Sequence, residues 1–130
     1  MAKKILLLED DMVLSQMYKD KLANAGYDVV STDTAIKALT ILKSFLPDII
    51  LLDIMLPGGM NGFDVLQILK QDQKLKIIPV IVLTNLDSEK KTALELGASD
   101  YIIKSDTPLE DLVKLIKKYT KGSFVKNFIS

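Results

Sequence analysis

Four short runs of large apolar residues interrupt this 130-residue chain and restrict the folds open to it. The runs are ILLL (5–8), IILL (49–52), VIVL (80–83) and YII (101–103). Because their apolar residues are nearly continuous and do not alternate with polar ones, each run predicts a strand covered on both faces, as in a parallel sheet. A weaker run, YDVVS (27–31), has more polar character and predicts a strand near an edge of the sheet.

Apolar residues at helical spacing lie between the runs and predict five helices. The first stripe comprises Val13, Leu14, Met17, Tyr18 and Leu22. Strands that alternate with helices predict an α/β fold with a doubly wound parallel sheet of five strands and helices on both faces. We expect one domain over residues 1–120, followed by a short tail over 121–130 with no effector domain. The tail has apolar residues at helical spacing, which predicts that it extends the last helix or packs against it.

Composition removes several classes of chemistry. The chain has no cysteine and no histidine, which excludes disulfides, thiol catalysis, histidine-assisted nucleophiles and the usual zinc sites. Its 17 basic residues are all lysine, so no arginine clamp on phosphate is available. Basic and acidic residues balance at 17 each, and this charge gives no argument for nucleic acid or an anionic membrane. Chemistry or metal binding must therefore use carboxylates, hydroxyls and lysines.

The amino-terminal sequence MAKKILLLEDD is basic and then apolar, like the beginning of an export signal. The apolar part is only four residues long and leads directly into three acids, so it predicts a strand and not a signal. No apolar stretch approaches the length of a membrane span. We therefore expect a cytoplasmic protein with no membrane partner and no nucleic-acid partner.

Polar side chains follow each of the four strong runs. In chain order they are Glu9, Asp10 and Asp11, then Asp53, then Thr84, and finally Lys104. In open parallel sheets, ligands bind outside the carboxyl ends of the strands. We therefore expect these side chains to meet at one edge of the sheet and to form a site.

The residue types at this edge indicate phosphoryl chemistry. Asp10, Asp11 and Asp53 offer hard oxygen ligands that suit Mg²⁺. The competing interpretation of Glu9, Asp10 and Asp11 is a helix N-cap with solvated acids, and Asp11 is placed for both roles. A carboxylate beside such an ion can attack phosphorus and form an acyl phosphate. The hydroxyl of Thr84 and the ammonium of Lys104 are suited to bind the phosphoryl oxygens. The predicted reaction is phosphoryl transfer onto Asp53, followed by hydrolysis.

At residues 3–120 the sequence resembles the receiver domain of bacterial-type two-component response regulators, in particular single-domain receivers like the chemotaxis regulators. Five pieces carry the resemblance: LLLEDD, PDIILLDIMLPG, NGF, PVIVLTN and LGASDYIIK. Each piece is weak alone, and the combination is specific. The resemblance implies a flavodoxin-like (βα)5 fold with strand order 2-1-3-4-5.

The resemblance also implies roles for individual residues. Asp53 would be the phosphoacceptor. Asp10, Asp11, Asp53 and the backbone carbonyl of Met55 would bind Mg²⁺ or Mn²⁺, with Glu9 as an acidic neighbour. The protein would be a signalling domain and not an enzyme, catalysing only its own phosphorylation and dephosphorylation.

The implied switch involves two further side chains and a surface. Thr84 and Lys104 would contact the phosphoryl group, and the rotamer of Tyr101 would follow Thr84; a plain core tyrosine is the competing interpretation. The phosphodonor would be a phosphohistidine on a sensor histidine kinase or a histidine phosphotransfer protein. The surface from Asp87 to Thr120 would bind a downstream protein target, with the chain a monomer or a weak dimer.

The sequence departs from the family pattern at two places. Ser105 follows Lys104 where a proline is usual, often after a cis peptide bond. Such a bond is costly before a non-proline residue, which leaves the geometry of this loop open. The loop PGGMNG after Asp53 is usually one residue shorter, and we interpret its glycines, Gly58, Gly59 and Gly62, as turn and helix-entry residues.

Three alternative functions share parts of this pattern. An aspartyl phosphohydrolase commonly needs a second aspartate two residues after the nucleophile, where this chain has Met55. A flavodoxin-type electron carrier needs a phosphate loop after the first strand, where this chain has acids. A phosphorylation-independent interaction module of receiver type is the main alternative, and the intact set of polar residues argues against it.

Overall fold

The structure is a computed structural model that describes residues 2–129, with side chains described for residues 2–121. Strands and helices alternate along the chain, as predicted. The strands are β1 (Lys4–Leu8), β2 (Asp28–Thr32), β3 (Ile49–Asp53), β4 (Val80–Thr84) and β5 (Asp100–Ile103). The helices are α1 (Met12–Asn24), α2 (Ala35–Ile41), α3 (Gly62–Gln71), α4 (Lys90–Glu95) and α5 (Leu109–Ile129).

The five strands form one parallel sheet with the order β2-β1-β3-β4-β5. This confirms the predicted doubly wound fold and places the more polar strand β2 at an edge. The register brings strand ends together: Leu8 lies beside Leu52, Asp53 beside Leu83, and Thr84 beside Ile103. Residues that follow these strands therefore lie at one edge of the sheet.

Successive residues of each central strand enter two different cores. In β1, Leu6 packs into the core on one face of the sheet, and Leu7 packs into the core on the other face. All five residues of β3 are buried. Full burial of one large aliphatic side chain is worth about 1.5–3 kcal/mol, so the apolar runs hold β3 firmly between the two helical layers.

Helix α1 differs in one respect from its predicted stripe. Tyr18 and Leu22 are buried, but Val13 and Met17 are 71% and 47% exposed. Val13 and Met17 each precede a residue of the buried face by one position, which places them about 100° further round the helix. The apolar stripe was predicted too wide, and the helix buries only one part of it.

Helix α5 continues without a break into the segment that we expected to be a tail, and it ends at Ile129. The direction in which the apolar side chains of that segment face lies outside the described side chains. Across the part of the chain that the structure describes, no helix combines the length and the apolar character that a membrane span needs.

Candidate functional site

An ammonium group bridges two carboxylates at the carboxyl edge of the sheet. Nζ of Lys104 lies 3.0 Å from Oδ2 of Asp53 and 2.5 Å from Oε1 of Glu9. Both carboxylates are almost fully buried, with 3% and 2% of Asp53 and Glu9 exposed. Strand β3 delivers Asp53, the end of β1 delivers Glu9, and the end of β5 delivers Lys104. Three separate strand ends therefore meet at one charged cluster, as the sequence predicted.

The backbone around Asp53 holds its carboxylate in place. Oδ1 of Asp53 accepts a hydrogen bond of 3.1 Å from the backbone N–H of Met55. Because Oδ2 faces Lys104, the two oxygens have different partners and a fixed orientation. The side chain of Met55 is 62% exposed, and the role of its carbonyl as a metal ligand stays a prediction.

Three carboxylates lie close enough to share a metal ion. Oxygens of Glu9, Asp10 and Asp53 all lie within 4.8 Å of one another. Glu9 and Asp53 are buried, whereas Asp10 is exposed. Three hard oxygen donors with one open side suit Mg²⁺, which usually keeps several of its waters. This donor set fits the expected cofactor.

Asp11, which we expected to be a ligand, does not belong to that carboxylate cluster. It is the N-cap of α1, and its Oδ1 accepts from the backbone N–H groups of Val13 at 2.9 Å and Leu14 at 3.0 Å. Glu9, expected only as a neighbour, occupies the buried position instead, and its Oε2 accepts from the N–H of Asp11. The sequence contains the relevant signal, since an aspartate just before an apolar helical stripe is a typical N-cap.

Burial and neighbouring charged groups shift the pKa values of Glu9 and Lys104. Burial raises the pKa of Glu9 to about 7, although its hydrogen bonds with Lys104 and Asp11 oppose the shift. Burial alone would lower the pKa of Lys104, but hydrogen bonds with Glu9 and Asp53 outweigh it and leave that pKa raised. Lys104 therefore stays charged near neutral pH, and Glu9 changes charge there.

We predict that the metal-free protein loses stability as the pH rises from about 5 to about 8. Between 4.5, the ordinary pKa of Glu9, and about 7, its pKa in the fold, the folded protein binds more protons than the unfolded chain. The free energy of unfolding then falls with pH, on the order of 1–3 kcal/mol. Urea titrations in a chelating buffer measure it. Glu9→Gln is expected to flatten the pH dependence, and an unchanged slope in that variant contradicts the prediction.

The backbone of one residue, Leu86, connects Thr84 and Tyr101. Oγ1 of Thr84, a buried hydroxyl, accepts a hydrogen bond of 3.2 Å from the N–H of Leu86. The hydroxyl of Tyr101 donates to the carbonyl oxygen of Leu86. The ring of Tyr101 packs in one of the two cores, and burial raises the pKa of its hydroxyl. Tyr101 is thus a core residue that also has a hydrogen-bond path to Thr84.

The glycines of the loop after Asp53 have different structural roles. Gly58 has a φ of 94°, a region that favours glycine. Gly62 begins α3, its N–H donates to the carbonyl of Ile54 at 2.8 Å, and its Cα faces the backbone of Asp53 closely. Gly59 has neither a positive φ nor a close neighbour. Nothing in the structure requires a glycine at position 59.

The loop after β5 has a trans peptide bond at the place where the family pattern often has a cis bond. No peptide bond among the described residues is cis, so the bond from Lys104 to Ser105 is trans. The N–H of Ser105 donates to Oδ1 of Asn85 at 3.1 Å. A proline at position 105 has no N–H and could not make this bond. No sequence pattern indicates this contact, because it joins residues 20 positions apart.

Comparison with known families and proteins agrees with this arrangement. A family model for the response regulator receiver domain matches residues 5–117. The DNA-binding response regulator MtrA of Mycolicibacterium paratuberculosis is 38% identical over 112 residues, which cover 85% of this chain and 48% of that protein. This chain therefore spans about half the length of the curated relatives that it matches.

Two solved structures superpose on nearly the whole chain. The signal receiver domain of a signal transduction histidine kinase from Syntrophus aciditrophicus has a TM-score of 0.86 and 31% identity, covering 93% of this chain and 92% of that one. The phosphorylated cyanobacterial phytochrome response regulator RcpA has a TM-score of 0.82 and 31% identity, covering 95% and 96%. By sequence, strand order and the charged cluster at the carboxyl edge of its sheet, this chain belongs to the response regulator receiver domain family.

Proposed function

We propose that this chain accepts a phosphoryl group on Asp53 and changes its binding to a partner protein as a result. The observation that carries the proposal is the contact of Asp53 Oδ2 with Lys104 Nζ inside a cluster of three carboxylates, two of them buried. A charged lysine beside the acceptor can neutralise the oxygens of an incoming phosphoryl group. The experiment that tests the function is covalent labelling by acetyl phosphate with and without Mg²⁺, followed by intact mass spectrometry.

The transfer step conserves atoms and charge. One carboxylate oxygen of Asp53 forms a bond to phosphorus, and the bond from phosphorus to the donor breaks. The electron pair leaves with the donor group, which is the histidine nitrogen of a kinase or phosphotransfer protein, or the acetate of acetyl phosphate. Water later attacks the acyl phosphate and restores the carboxylate with release of inorganic phosphate. The chain itself has no histidine, so the phosphohistidine must come from a partner.

The metal would be held by Glu9, Asp10 and Asp53, with the backbone carbonyl of Met55 as a further ligand from the family resemblance. When bound, Mg²⁺ supplies positive charge that stabilises the phosphoryl oxygens. The role of the protein is to keep the carboxylates together against their mutual repulsion. Lys104 does this in the metal-free protein, since its ammonium contacts two of the three.

We predict that Asp10 and Asp11 differ sharply in their effect on metal binding. Asp10→Asn removes a charged ligand and is expected to raise the Kd for Mg²⁺ at least about tenfold. Asp11→Asn keeps a good N-cap residue and is expected to leave the Kd within about twofold. Isothermal titration calorimetry with MgCl₂ measures both. Equal losses in the two variants would return Asp11 to the ligand set.

The switch would begin at Thr84 and pass through Leu86 to Tyr101. A phosphoryl group that draws the Thr84 hydroxyl towards itself competes with the hydrogen bond from the N–H of Leu86. The carbonyl of Leu86 accepts from the hydroxyl of Tyr101, so movement of this loop changes the position of the tyrosine side chain. The neighbouring surface from Asp87 to Thr120 would present that change to a downstream protein. A ligand can shift such an equilibrium only through contacts that differ between the two states.

Exposed apolar side chains next to the acids suit a protein phosphodonor. Met12 and Val13 follow the acids of the β1 loop, and Met55 follows Asp53; their exposed fractions are 81%, 71% and 62%. Exposed apolar side chains rimmed by polar groups are typical of a surface that contacts another protein. This supports a histidine kinase or phosphotransfer protein as the donor. MtrA is named a DNA-binding protein, but the absence of a nucleic-acid partner for this chain stays our prediction.

A further inference from the structure

The pairing of β4 with β5 extends by one hydrogen bond beyond the strands themselves. The backbone ladder ends where Thr84 lies beside Ile103. One residue beyond the end of β4, the side chain of Asn85 provides an oxygen, and the N–H of Ser105 donates to it at 3.1 Å. An amide side chain thus replaces the backbone carbonyl that the next rung would need.

This bond connects the two loops that carry the proposed phosphoryl contacts. Asn85 is the neighbour of Thr84 in the chain, and Ser105 is the neighbour of Lys104. Thr84 and Lys104 are held by different strands, and Lys104 also bonds across the site to Glu9 and Asp53. The other described hydrogen bond from the loop after β4, between Leu86 and Tyr101, reaches β5 before Lys104 in the chain. Loss of the Asn85 bond therefore lets the hydroxyl move relative to the ammonium.

We infer that Asn85 is a positioning residue, whose hydrogen bond from the Ser105 N–H keeps Thr84 and Lys104 arranged for phosphoryl transfer to Asp53. The inference rests on the proposed function. Catalysis of this kind depends on donors that are placed before the reaction, and small displacements are costly. Asn85 and Ser105 are both exposed, so the bond contributes little to overall stability while it limits the motion of the loops.

Asn85→Ala removes the acceptor and is the first variant to measure. We expect the rate constant for labelling by acetyl phosphate to fall about threefold to tenfold, the effect of losing one neutral hydrogen bond. Ser105→Pro removes the donor and is expected to have a similar effect. Ser105→Ala keeps the backbone N–H and serves as the matched control, with an expected rate equal to that of the unmodified chain.

A double-mutant cycle separates the bond from other effects of the proline. In the Asn85→Ala background, Ser105→Pro is expected to cause little further slowing, because the bond is already absent. The Kd for Mg²⁺ and the midpoint of thermal unfolding are expected to stay unchanged in Asn85→Ala, which a merely structural role would not produce.

Three results would overturn the inference: normal labelling in Asn85→Ala, slow labelling in Ser105→Ala, or independent multiplication of the two effects in the double variant. Asn85→Ala is a surface substitution that does not disturb the core, so its rate alone decides the question if Ser105→Pro fails to fold. Failure of the unmodified chain to accept any label would refute the proposed function and this inference together. Normal labelling of both the unmodified chain and Asn85→Ala refutes the inference only.

Discussion

Replacing Asp53 with asparagine is expected to abolish labelling by acetyl phosphate, a fall of at least about a thousandfold. The amide keeps the shape of the side chain and an oxygen for the N–H of Met55, but it lacks a nucleophilic carboxylate. Asp53 is almost fully buried and bonds Lys104 at 3.0 Å, so its carboxylate has a fixed place beside the ammonium. Intact mass spectrometry in the presence of Mg²⁺ gives the labelled fraction.

Asp48, immediately before the first residue of β3, provides a matched control. It precedes the strand, and its Oδ2 accepts from the backbone N–H of Lys4 at 2.7 Å. Asp48→Asn keeps an acceptor oxygen there, and we expect full labelling at the normal rate. Substantial labelling in the Asp53→Asn variant, or mapping of the label to another residue, would disprove the assignment of the phosphoacceptor.

Gly62→Ala is expected to destabilise the fold by about 2–4 kcal/mol. An added Cβ would lie 2.3 Å from the carbonyl oxygen of Asp53 and 2.6 Å from Cα of Ile54. Both are backbone atoms next to the phosphoacceptor, so they cannot move aside as a flexible side chain could. We therefore expect slower labelling as well as weaker folding. Urea unfolding measures the stability, and acetyl phosphate measures the labelling rate.

Gly59→Ala tests whether the effect belongs to the position or to the loop. An added Cβ at position 59 meets nothing within 4 Å, and its backbone does not require glycine. We expect a change in unfolding free energy of no more than about 0.5 kcal/mol. Equal destabilisation by the two alanines would mean that loop flexibility, and not the close approach at Gly62, is what the fold requires.

The fold was predictable because its signal is repeated along the chain. Each apolar run is continuous, and continuous runs between helical patterns are compatible with few arrangements other than a parallel sheet with two covered faces. Strand β2 has more polar residues than the other strands, and it lies at an edge of the sheet, where polar residues are tolerated. In α1 the prediction was weaker, since apolar residues such as Val13 occur on an exposed helix face.

The convergence of acids, hydroxyl and lysine at one edge was also predictable, but not their individual contacts. Sequence alone did not determine which of three consecutive acids enters the site, and the structure places Glu9 there and Asp11 at the helix cap. The N-cap signature of Asp11 was compatible with both capping and metal binding, so it could not separate the three acids. The bond between Asn85 and Ser105 could not have been found, because it depends on the three-dimensional path of two loops.

Because of the strand order, Asp53 and Lys104 lie at the ends of strands that differ in local stability. Strand β3 is paired on both sides and lies at the centre of the sheet, whereas β5 is paired only with β4. Amide hydrogens in central strands exchange through near-global opening, and those in edge strands exchange through smaller and more frequent fluctuations. Fraying of β5 would move Lys104 away while Asp53 stays in the central strand, and the carboxylates would then face each other without their cation. Transient opening at this edge therefore creates an uncompensated anionic site, the state with the strongest electrostatic demand for a metal ion.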